Sequence, residues 1–353
     1  MSDILIYGAY GYTAQLITEL AVTQGLQPIL AGRNPDRLDA IAQQHKLRAR
    51  ACSLEDATEL DAALNDVSTV IHCAGPFSGT SRAMVDACLR TRTHYLDITG
   101  EIEVFEAIAK RDEEAKKAGV VLMPGVGFDI VPSDCLAAHL HRRLPDATHL
   151  TLAFQSLGGG VSHGTATTIV ENLHRPSAVR EEGVIRSIPM GSRHRTVDFG
   201  KGPKPCVAIP WGDVSTAWYT TQIPNIEVVV PMPTALRWGA RLTTAFAPLL
   251  SSGPVQRFLK ARVDGRPAGP TAEERHNGTT LLWGEARNEA GESVRSRLQT
   301  PEGYTLTAHT ALHLGHQISQ GAPEPGFHTP AGVYGPDLIL QFSGTERSDI
   351  EES

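Results

Sequence analysis

The sequence lacks the features that mark membrane-spanning, secreted and nucleic-acid-binding proteins. No apolar run approaches the roughly 18 residues of a transmembrane helix, and the N-terminus has neither a basic segment nor a signal-peptide cleavage site. The net charge is −7, without a long basic run, which argues against a nucleic-acid partner. The 353 residues, 41% hydrophobic and 20% charged, have the composition of a globular protein long enough for two domains.

Cysteines are also few, and their spacing does not suggest disulfides. The five cysteines form no CxxC pair, which is typical of free thiols, and we therefore expect a cytoplasmic protein. The sequence has no HExxH motif. His309, His313 and His316 would share one face of a helix, but a polar face explains them better than a metal site does. No metal is predicted.

Two dehydrogenase classes can be set aside on missing residues. None of the seven tyrosines has a lysine four positions later, which argues against a short-chain dehydrogenase. An acyl-phosphate reductase needs an activated cysteine in its second domain. Cys135 lies in an apolar helical run and Cys206 has no obvious base beside it, so neither thiol is expected to be activated.

What the sequence does have, at its start, is a glycine turn between an apolar strand and an amphipathic helix. The strand is Ile4–Tyr7, and the helical pattern, from about Gln15, stops at Gly25. Such a turn lets a phosphate approach the backbone, with the N–H groups of the first helical turn pointing at the anion. The candidate cofactor-binding residues here are Gly8, Ala9, Tyr10, Gly11, Tyr12 and Thr13.

The end of the second predicted strand indicates which dinucleotide binds. An acidic residue there would bond the ribose hydroxyl of NAD, but this chain has Arg33, with Arg37 one turn later. A guanidinium forms charge-assisted hydrogen bonds with a phosphate, which favours NADP(H). After the fourth predicted strand, a small turn lies where the nicotinamide ribose would pass. Its residues are Ala74, Gly75, Pro76 and Phe77.

Six short strands alternating with helices up to Met123 predict an α/β fold, with a parallel doubly wound sheet of the Rossmann type. Residues 101–118 are predicted to form one helix. The pattern changes after Pro124 to that of an α+β substrate domain, with short strands and turns over 183–230. We expect a first domain of residues 1–125, to which 331–353 return with a frayed acidic tail, and a second domain of 126–330.

Residues 232–263 comprise two amphipathic stretches rich in leucine, aromatic residues and arginine. They are interpreted as core helices, as a homodimer interface, as a lid over a hydrophobic substrate, or as a surface for peripheral membrane contact.

Ligands of open α/β sheets bind beyond the carboxyl ends of the strands, which places three candidate catalytic groups near the nicotinamide, and a fourth could enter from the second domain. Asp97 and Glu101 follow the fifth strand, Asp129 follows the sixth, and His163 follows a triple glycine in the second domain. A proton donor needs a pKa near the working pH, which a histidine or a desolvated carboxylic acid can have. Each candidate also has a structural alternative: the acids around Thr99 could cap a helix, Asp129 could brace a loop, and His163 could be a structural histidine.

Taken together, several motifs resemble the saccharopine dehydrogenase-like oxidoreductases, in the branch of the bacterial trans-acting enoyl reductases. They lie at residues 8–13, 31–33, 74–77, 95–101, 127–134, 164–166, 209–213 and 326–331. The resemblance implies an NADP-binding Rossmann domain with an inserted substrate domain, and a reductase of C=C or C=N bonds. The chain departs from the family at Tyr10, usually threonine or serine, whose bulk would crowd the pyrophosphate, and at Ala14, usually glycine.

The leading hypothesis is therefore an NADPH-dependent oxidoreductase that reduces an enoyl or imine bond of a small or lipid-like substrate, free or carrier-linked. The alternative is a protein that binds NADP(H) as a sensor or scaffold without catalysis.

Overall fold

A computed structural model of the chain describes residues 4–351, except 161, 165, 167–175, 234–251, 254, 258–261 and 263–267. The chain forms two compact units, one of residues 1–131 and 304–333, the other of residues 132–303 and 334–353. Among the residues that the structure describes, no helix combines the length and the hydropathy of a membrane span. All five cysteines are free thiols.

The first unit is built on a seven-stranded sheet with the order β15-β6-β5-β4-β1-β2-β3, in which every pair of neighbours is parallel. Its strands are β1 Ile4–Tyr7, β2 Ile29–Gly32, β3 Ala49–Ala51, β4 Thr69–His72, β5 His94–Asp97, β6 Val121–Met123 and β15 Gly326–Phe327. The strand order reverses between β1 and β4, the point at which such sheets bind their ligands. The predicted Rossmann-type sheet is confirmed.

Helices connect these strands because apolar residues recur at helical spacing between them. They are α1 Tyr12–Thr23, α2 Pro35–His45, α3 Ala57–Leu64, α4 Phe77–Thr91, α5 Ile102–Ala109, α6 Asp112–Ala118, α10 Gly303–Gln320 and α11 Pro330–Tyr334. Some of the buried side chains of these strands and helices pack into a core cluster, among them Leu5, Val70, Met84 and Val104. The Asn34 side chain caps α2 by accepting from Arg37 N at 3.0 Å, as the Asn-Pro pair predicts.

The single helix predicted for residues 101–118 is wrong. The chain turns at Lys110 and Arg111, between α5 and α6. Arg111 forms ion pairs with Asp86 of α4 and with Glu114. Asp86 lies 25 positions before Arg111, so the pattern of apolar residues within 101–118 does not report the break.

The second unit is built on a mixed sheet with the order β10-β11-β12-β7-β13-β14-β16, in which β12 also pairs with β8 and β8 with β9. Its strands are β7 His149–Leu157, β8 Ser177–Glu181, β9 Val184–Ile188, β10 His194–Asp198, β11 Pro203–Ala208, β12 Asn225–Pro231, β13 Thr279–Arg287, β14 Ser293–Pro301 and β16 Glu346–Ile350. Its helices are α7 Val131–Arg143, α8 Asp213–Thr221, α9 Ala272–Asn277 and the 3₁₀ helix Leu338–Gln341. The predicted α+β texture is observed, with one addition: α8 lies inside the stretch predicted to hold only strands and turns.

The predicted domain boundaries need correction at the C-terminus. Residues 331–353 were expected to return to the first domain, with a frayed tail, whereas β16 pairs antiparallel with β14 in the second sheet. Asp349 in β16 accepts hydrogen bonds from Ser296 Oγ at 2.7 Å and from His139 Nε2 at 2.8 Å. The return to the first sheet occurs earlier, through α10 and β15. An edge strand rich in charged residues has the same composition as a solvated tail, which explains why β16 was expected to be frayed.

Most of residues 232–263 lie outside the described residues, and so the four interpretations of this segment stay predictions.

Candidate cofactor and active site

The glycine turn after β1 is held against its two neighbouring strands. Gly8 and Ala9 both donate their N–H groups to Ala31 O of β2, at 2.8 and 3.1 Å. Gly8 has φ +82°, and a Cβ there would lie 3.0 Å from the backbone nitrogen of Ala74, which follows β4. Glycine is therefore required here both for backbone conformation and for the close approach of the two turns.

The turn leads directly into the N-terminus of α1. Gly11 is the N-cap and has no side chain with which to cap the helix, and the first helical turn, which includes Tyr12 and Thr13, contains no acidic residue. The positive end of the helix is thus left to an anion from outside. The Tyr12 ring meets the ring of Tyr304 at the start of α10 edge-on, with centroids 5.2 Å apart.

Tyr10 turns toward the end of β2. A Cβ on Gly32 would lie 2.8 Å from Cε1 of the Tyr10 ring, so the ring packs directly on the Gly32 backbone. The guanidinium carbon of Arg37 lies 4.5 Å from the centroid of the same ring, on the solvent side of the protein, where both Arg33 and Arg37 are exposed. The ring of Tyr10 thus packs at the end of β2, and this position does not support the expected crowding of the pyrophosphate.

The turn after β4 is fixed by an acidic residue that was predicted to be catalytic. Glu101 accepts from Phe77 N at 2.8 Å and from Ser78 N at 3.1 Å, one backbone group for each carboxylate oxygen. These are the first N–H groups of α4, which begins after the cis Gly75–Pro76 bond. Glu101 is thus a helix cap, and its carboxylate is committed to the backbone.

Two further side chains hold this turn from beneath. Thr80 Oγ1 lies 2.7 Å from Ala74 O, to which it donates, and 3.0 Å from Nε2 of His72. His72 is fully buried, and burial lowers its pKa to about 3, so the ring is neutral. No local pattern predicts this pair, because an apolar strand that ends in histidine has no distinctive spacing.

Asp97 lies at the end of β5, and none of its surface is exposed. Oδ1 accepts from Gly125 N at 2.8 Å and from Thr99 N at 3.0 Å, and Oδ2 accepts from the Tyr95 hydroxyl at 2.5 Å. Burial raises its pKa to about 6, against these hydrogen bonds, which favour the charged form. Asp97 joins β5 to the loop after β6.

Asp129 lies in that loop, and unlike Asp97 it is partly exposed. A Cβ on Gly100 would lie 2.5 Å from Asp129 Oδ2, so the carboxyl group packs directly against the Gly100 backbone. Desolvation raises the pKa of Asp129 to about 7. The group is therefore divided between acid and carboxylate near neutral pH, on a residue that keeps part of its surface exposed.

The loop that carries Asp129 is pinned by α10. Phe128 N donates to Thr307 Oγ1 at 2.9 Å, and Thr310 Oγ1 donates to Val126 O at 2.7 Å. Val126 N in turn donates to Asp97 O at 2.8 Å. Sequence reasoning missed Thr307 and Thr310, because they lie 179 and 184 positions from their partners and no local signal connects them.

The predicted residues of the first unit thus form one line of contacts along the carboxyl edge of its sheet. The line runs from Gly8 to Ala74, from Phe77 to Glu101, and from Gly100 to Asp129. His163 belongs to the second unit, where its N–H donates to Ala268 O at 2.9 Å. Within the described part of the chain, no group of three or more histidine, cysteine, aspartate or glutamate residues could hold a metal ion.

The edge fits a dinucleotide. The Gly8 cradle, which a Cβ would fill, and the uncapped α1 terminus would hold the pyrophosphate. Arg33 and Arg37 lie at the end of β2, where the adenosine 2′-phosphate of NADP would lie. The end of this strand lacks the acidic residue that would bond the ribose 2′-hydroxyl of NAD. The turn 74–77 would face the nicotinamide ribose.

Comparison with known proteins agrees with this fit. Residues 4–123 match the family model described as the saccharopine dehydrogenase NADP binding domain. A protein of Mycobacterium tuberculosis, named provisionally as a trans-acting enoyl reductase, is 30% identical over 402 aligned positions, covering 99% of this chain and 90% of that protein. The trans-acting enoyl reductase of Mycobacterium leprae is 33% identical over 150 positions, which cover 40% of this chain and 36% of the M. leprae protein.

The bovine saccharopine dehydrogenase-like oxidoreductase is 22% identical over 177 positions, which cover 44% of this chain and 41% of the bovine protein. The match thus spans only about two fifths of the length of the bovine and M. leprae relatives. The apo structure of saccharopine dehydrogenase (L-Glu forming) from Saccharomyces cerevisiae covers 99% of both chains at 12% identity, with a TM-score of 0.66, which shows a shared fold. With a relative at 30% identity over nearly its whole length, the chain belongs to the saccharopine dehydrogenase-like oxidoreductases and binds NADP(H).

Proposed function

We propose that the protein is an NADPH-dependent reductase of a carbon–carbon double bond conjugated to a carbonyl group, with Asp129 as the proton donor. The proposal rests on the state of Asp129: a desolvated carboxyl group, with its pKa raised to about 7, on a residue that keeps part of its surface exposed at the edge that fits the dinucleotide. Reduction of an imine is the second reaction that this site could serve, because it needs the same proton.

The bound cofactor supplies a hydride to one carbon of the double bond. The neighbouring atom must then receive a proton, or the negative charge that develops on it stays uncompensated. Asp129 in its acid form can donate that proton from an Oδ atom. It then remains as a carboxylate until it is protonated again from solvent. A pKa of about 7 suits both steps near neutral pH.

The other two candidate acids of the first unit, Asp97 and Glu101, are proposed to hold the backbone of the site in place rather than to react. Asp97 is fully buried and occupied by three donors, and Glu101 is occupied by two backbone N–H groups. Asp97 holds Gly125 and Val126, and through them the loop of Asp129. Glu101 holds the turn that faces the nicotinamide. His163 stays a predicted second donor, from the second unit.

The substrate class is proposed from the relatives' names and from the segment 232–263. The M. leprae relative is named a trans-acting enoyl reductase, which favours an enoyl group over an imine. The apolar residues of 232–263 favour a hydrophobic or carrier-linked acyl chain, and that segment would equally serve a homodimer interface or peripheral membrane contact. The five free cysteines support a role in the reducing cytoplasm.

The test is consumption of NADPH by the purified protein with two probes: the N-acetylcysteamine thioester of crotonic acid as the enoyl compound, and 1-pyrroline as the imine. We expect turnover of the thioester to exceed that of the imine, and its rate to fall as the pH rises above about 7, where Asp129 loses its proton. Tight NADPH binding without turnover of either probe, or of longer enoyl thioesters, would overturn the proposal and favour the non-catalytic sensor.

A further inference from the structure

Tyr10, Gly32 and Arg37 form a small stacked unit at the end of β2. The Tyr10 ring packs on the Gly32 backbone, with Cε1 2.8 Å from the position of a Cβ. The Arg37 guanidinium covers the ring, with its carbon 4.5 Å from the centroid. This distance lies within the range of a cation–π contact. The glycine is needed because any side chain at residue 32 would displace the ring.

The backbone beneath this unit is fixed as well. Arg37 N donates to the Asn34 side chain at 3.0 Å, which places Arg37 in the first turn of α2. Tyr10 O accepts from Gln15 Nε2 at 3.0 Å, which holds the turn that carries the ring. Hydrogen bonds therefore hold the backbone of both Tyr10 and Arg37 in place.

The guanidinium keeps its hydrogen-bonding edge available. Stacking uses the face of the guanidinium plane, whereas the N–H groups point outward in the plane. Among the residues that the structure describes, neither Arg33 nor Arg37 has a carboxylate in ion-pair contact with its side chain. Both are exposed at the end of the strand where the adenosine ribose of a dinucleotide lies.

We propose that Tyr10 and Arg37 act as one specificity determinant for the 2′-phosphate of NADP(H): the ring holds the guanidinium in place, and the guanidinium bonds the phosphate. Tyr10 is a positioning residue in this pair, and it acts only through Arg37. The inference rests on cofactor binding and is independent of the substrate and of Asp129.

The test is a double-mutant cycle read out as binding of NADPH and NADH, followed by nicotinamide fluorescence. Arg37→Ala is expected to weaken NADPH binding by about five- to tenfold, the loss of one charge-assisted contact, with less than a twofold change for NADH. Tyr10→Ser is expected to weaken NADPH binding by about three- to fivefold, again sparing NADH. Tyr10→Phe keeps the ring and should bind both cofactors as the unchanged protein does.

The decisive comparison is Tyr10→Ser in the Arg37→Ala background, where the serine should have no further effect. Additive losses in the double variant, or equal losses for NADPH and NADH, would overturn the proposal. A second readout uses fragments: adenosine 2′,5′-bisphosphate should bind more weakly to both single variants in calorimetry, while AMP binding stays the same. Unchanged binding of the bisphosphate would overturn the proposal too. Thermal unfolding of each variant checks that the fold is intact.

Discussion

Two carboxyl groups of the first unit, Asp97 at the end of β5 and Asp129 in the loop after β6, resemble each other in pKa and differ in exposure. Burial raises the pKa of Asp97 to about 6 and that of Asp129 to about 7. Asp97 is fully enclosed and bonded to three protein donors, whereas Asp129 is partly exposed and packed on Gly100. A perturbed pKa alone therefore does not identify a reactive group, and access must accompany it.

The largest expected effect is on turnover. Asp129→Asn removes the acidic proton without changing size, and it should lower kcat for the enoyl thioester by about 10²- to 10⁴-fold, the usual contribution of a general acid. NADPH affinity should change less than twofold. Stopped-flow absorbance of NADPH under single-turnover conditions measures the rate.

The matched control for that loss is His163→Ala in the second unit. We expect it to lower turnover by less than Asp129→Asn does, with NADPH affinity unchanged. If His163→Ala matched or exceeded the loss caused by Asp129→Asn, the comparison would reverse and His163 would be the donor.

The next largest effect is on stability, and it belongs to Asp97. Asp97→Ala would leave two buried N–H groups and the Tyr95 hydroxyl without their acceptor. The expected loss is about 3–5 kcal/mol of unfolding free energy, measured by urea denaturation. Asp129→Ala, the control, should lose less than about 1 kcal/mol, because Asp129 is partly exposed. A loss below about 1 kcal/mol for Asp97→Ala would remove its proposed structural role.

A smaller effect separates Glu101 from both aspartates. Glu101→Ala removes the acceptor of two N–H groups at the start of α4 and should lower the unfolding free energy by about 1–2 kcal/mol. Glu103→Ala, in the first turn of α5, is the control and should cost less. If Glu101→Ala abolished turnover while stability stayed the same, Glu101 would react rather than cap.

The last expected effect, similar in size to that of Glu101→Ala, is the pH dependence of stability. The pKa of Asp129 is about 7 in the folded protein, above the value of about 3.9 in an unfolded chain, so the folded state binds the proton more tightly. Ionisation therefore costs folding free energy, fully above pH 7 and not below about pH 4. Asp129→Asn should raise the unfolding free energy by about 1–2 kcal/mol at pH 8, a figure reduced for partial exposure, and by nearly nothing at pH 4. A gain at pH 4 as large as that at pH 8 would exclude titration as its cause.

The sequence was sufficient for the parallel sheet and the glycine turn, because short buried strands and glycine spacing are local signals. Gly8, Ala74 and Phe77 lie together, as predicted from their places at strand ends. It was insufficient where the deciding contact is distant. Nothing near Asp97 in the sequence reveals Gly125, and nothing near Phe128 reveals Thr307.

The same limit explains the errors at the end of the chain. Residues 346–350 are charged and mostly solvent-facing, and only pairing with β14, some fifty positions earlier, makes them a strand. The sequence likewise left the roles of Asp97, Glu101 and Asp129 open, because all three follow strands at one edge of the sheet. Only the packing around each carboxyl group separates the two proposed positioning residues from the proposed proton donor.

The most direct measurement is a carbon-13 NMR titration of the protein labelled at the aspartate carboxyl carbons, with Asp129→Asn for assignment. We expect one carboxyl resonance that titrates with a pKa of about 7, is absent from Asp129→Asn, and shifts when NADP⁺ binds. A resonance for Asp129 that titrates near pH 4, as that of an ordinary exposed aspartate does, would contradict the claim that this group is the proton donor.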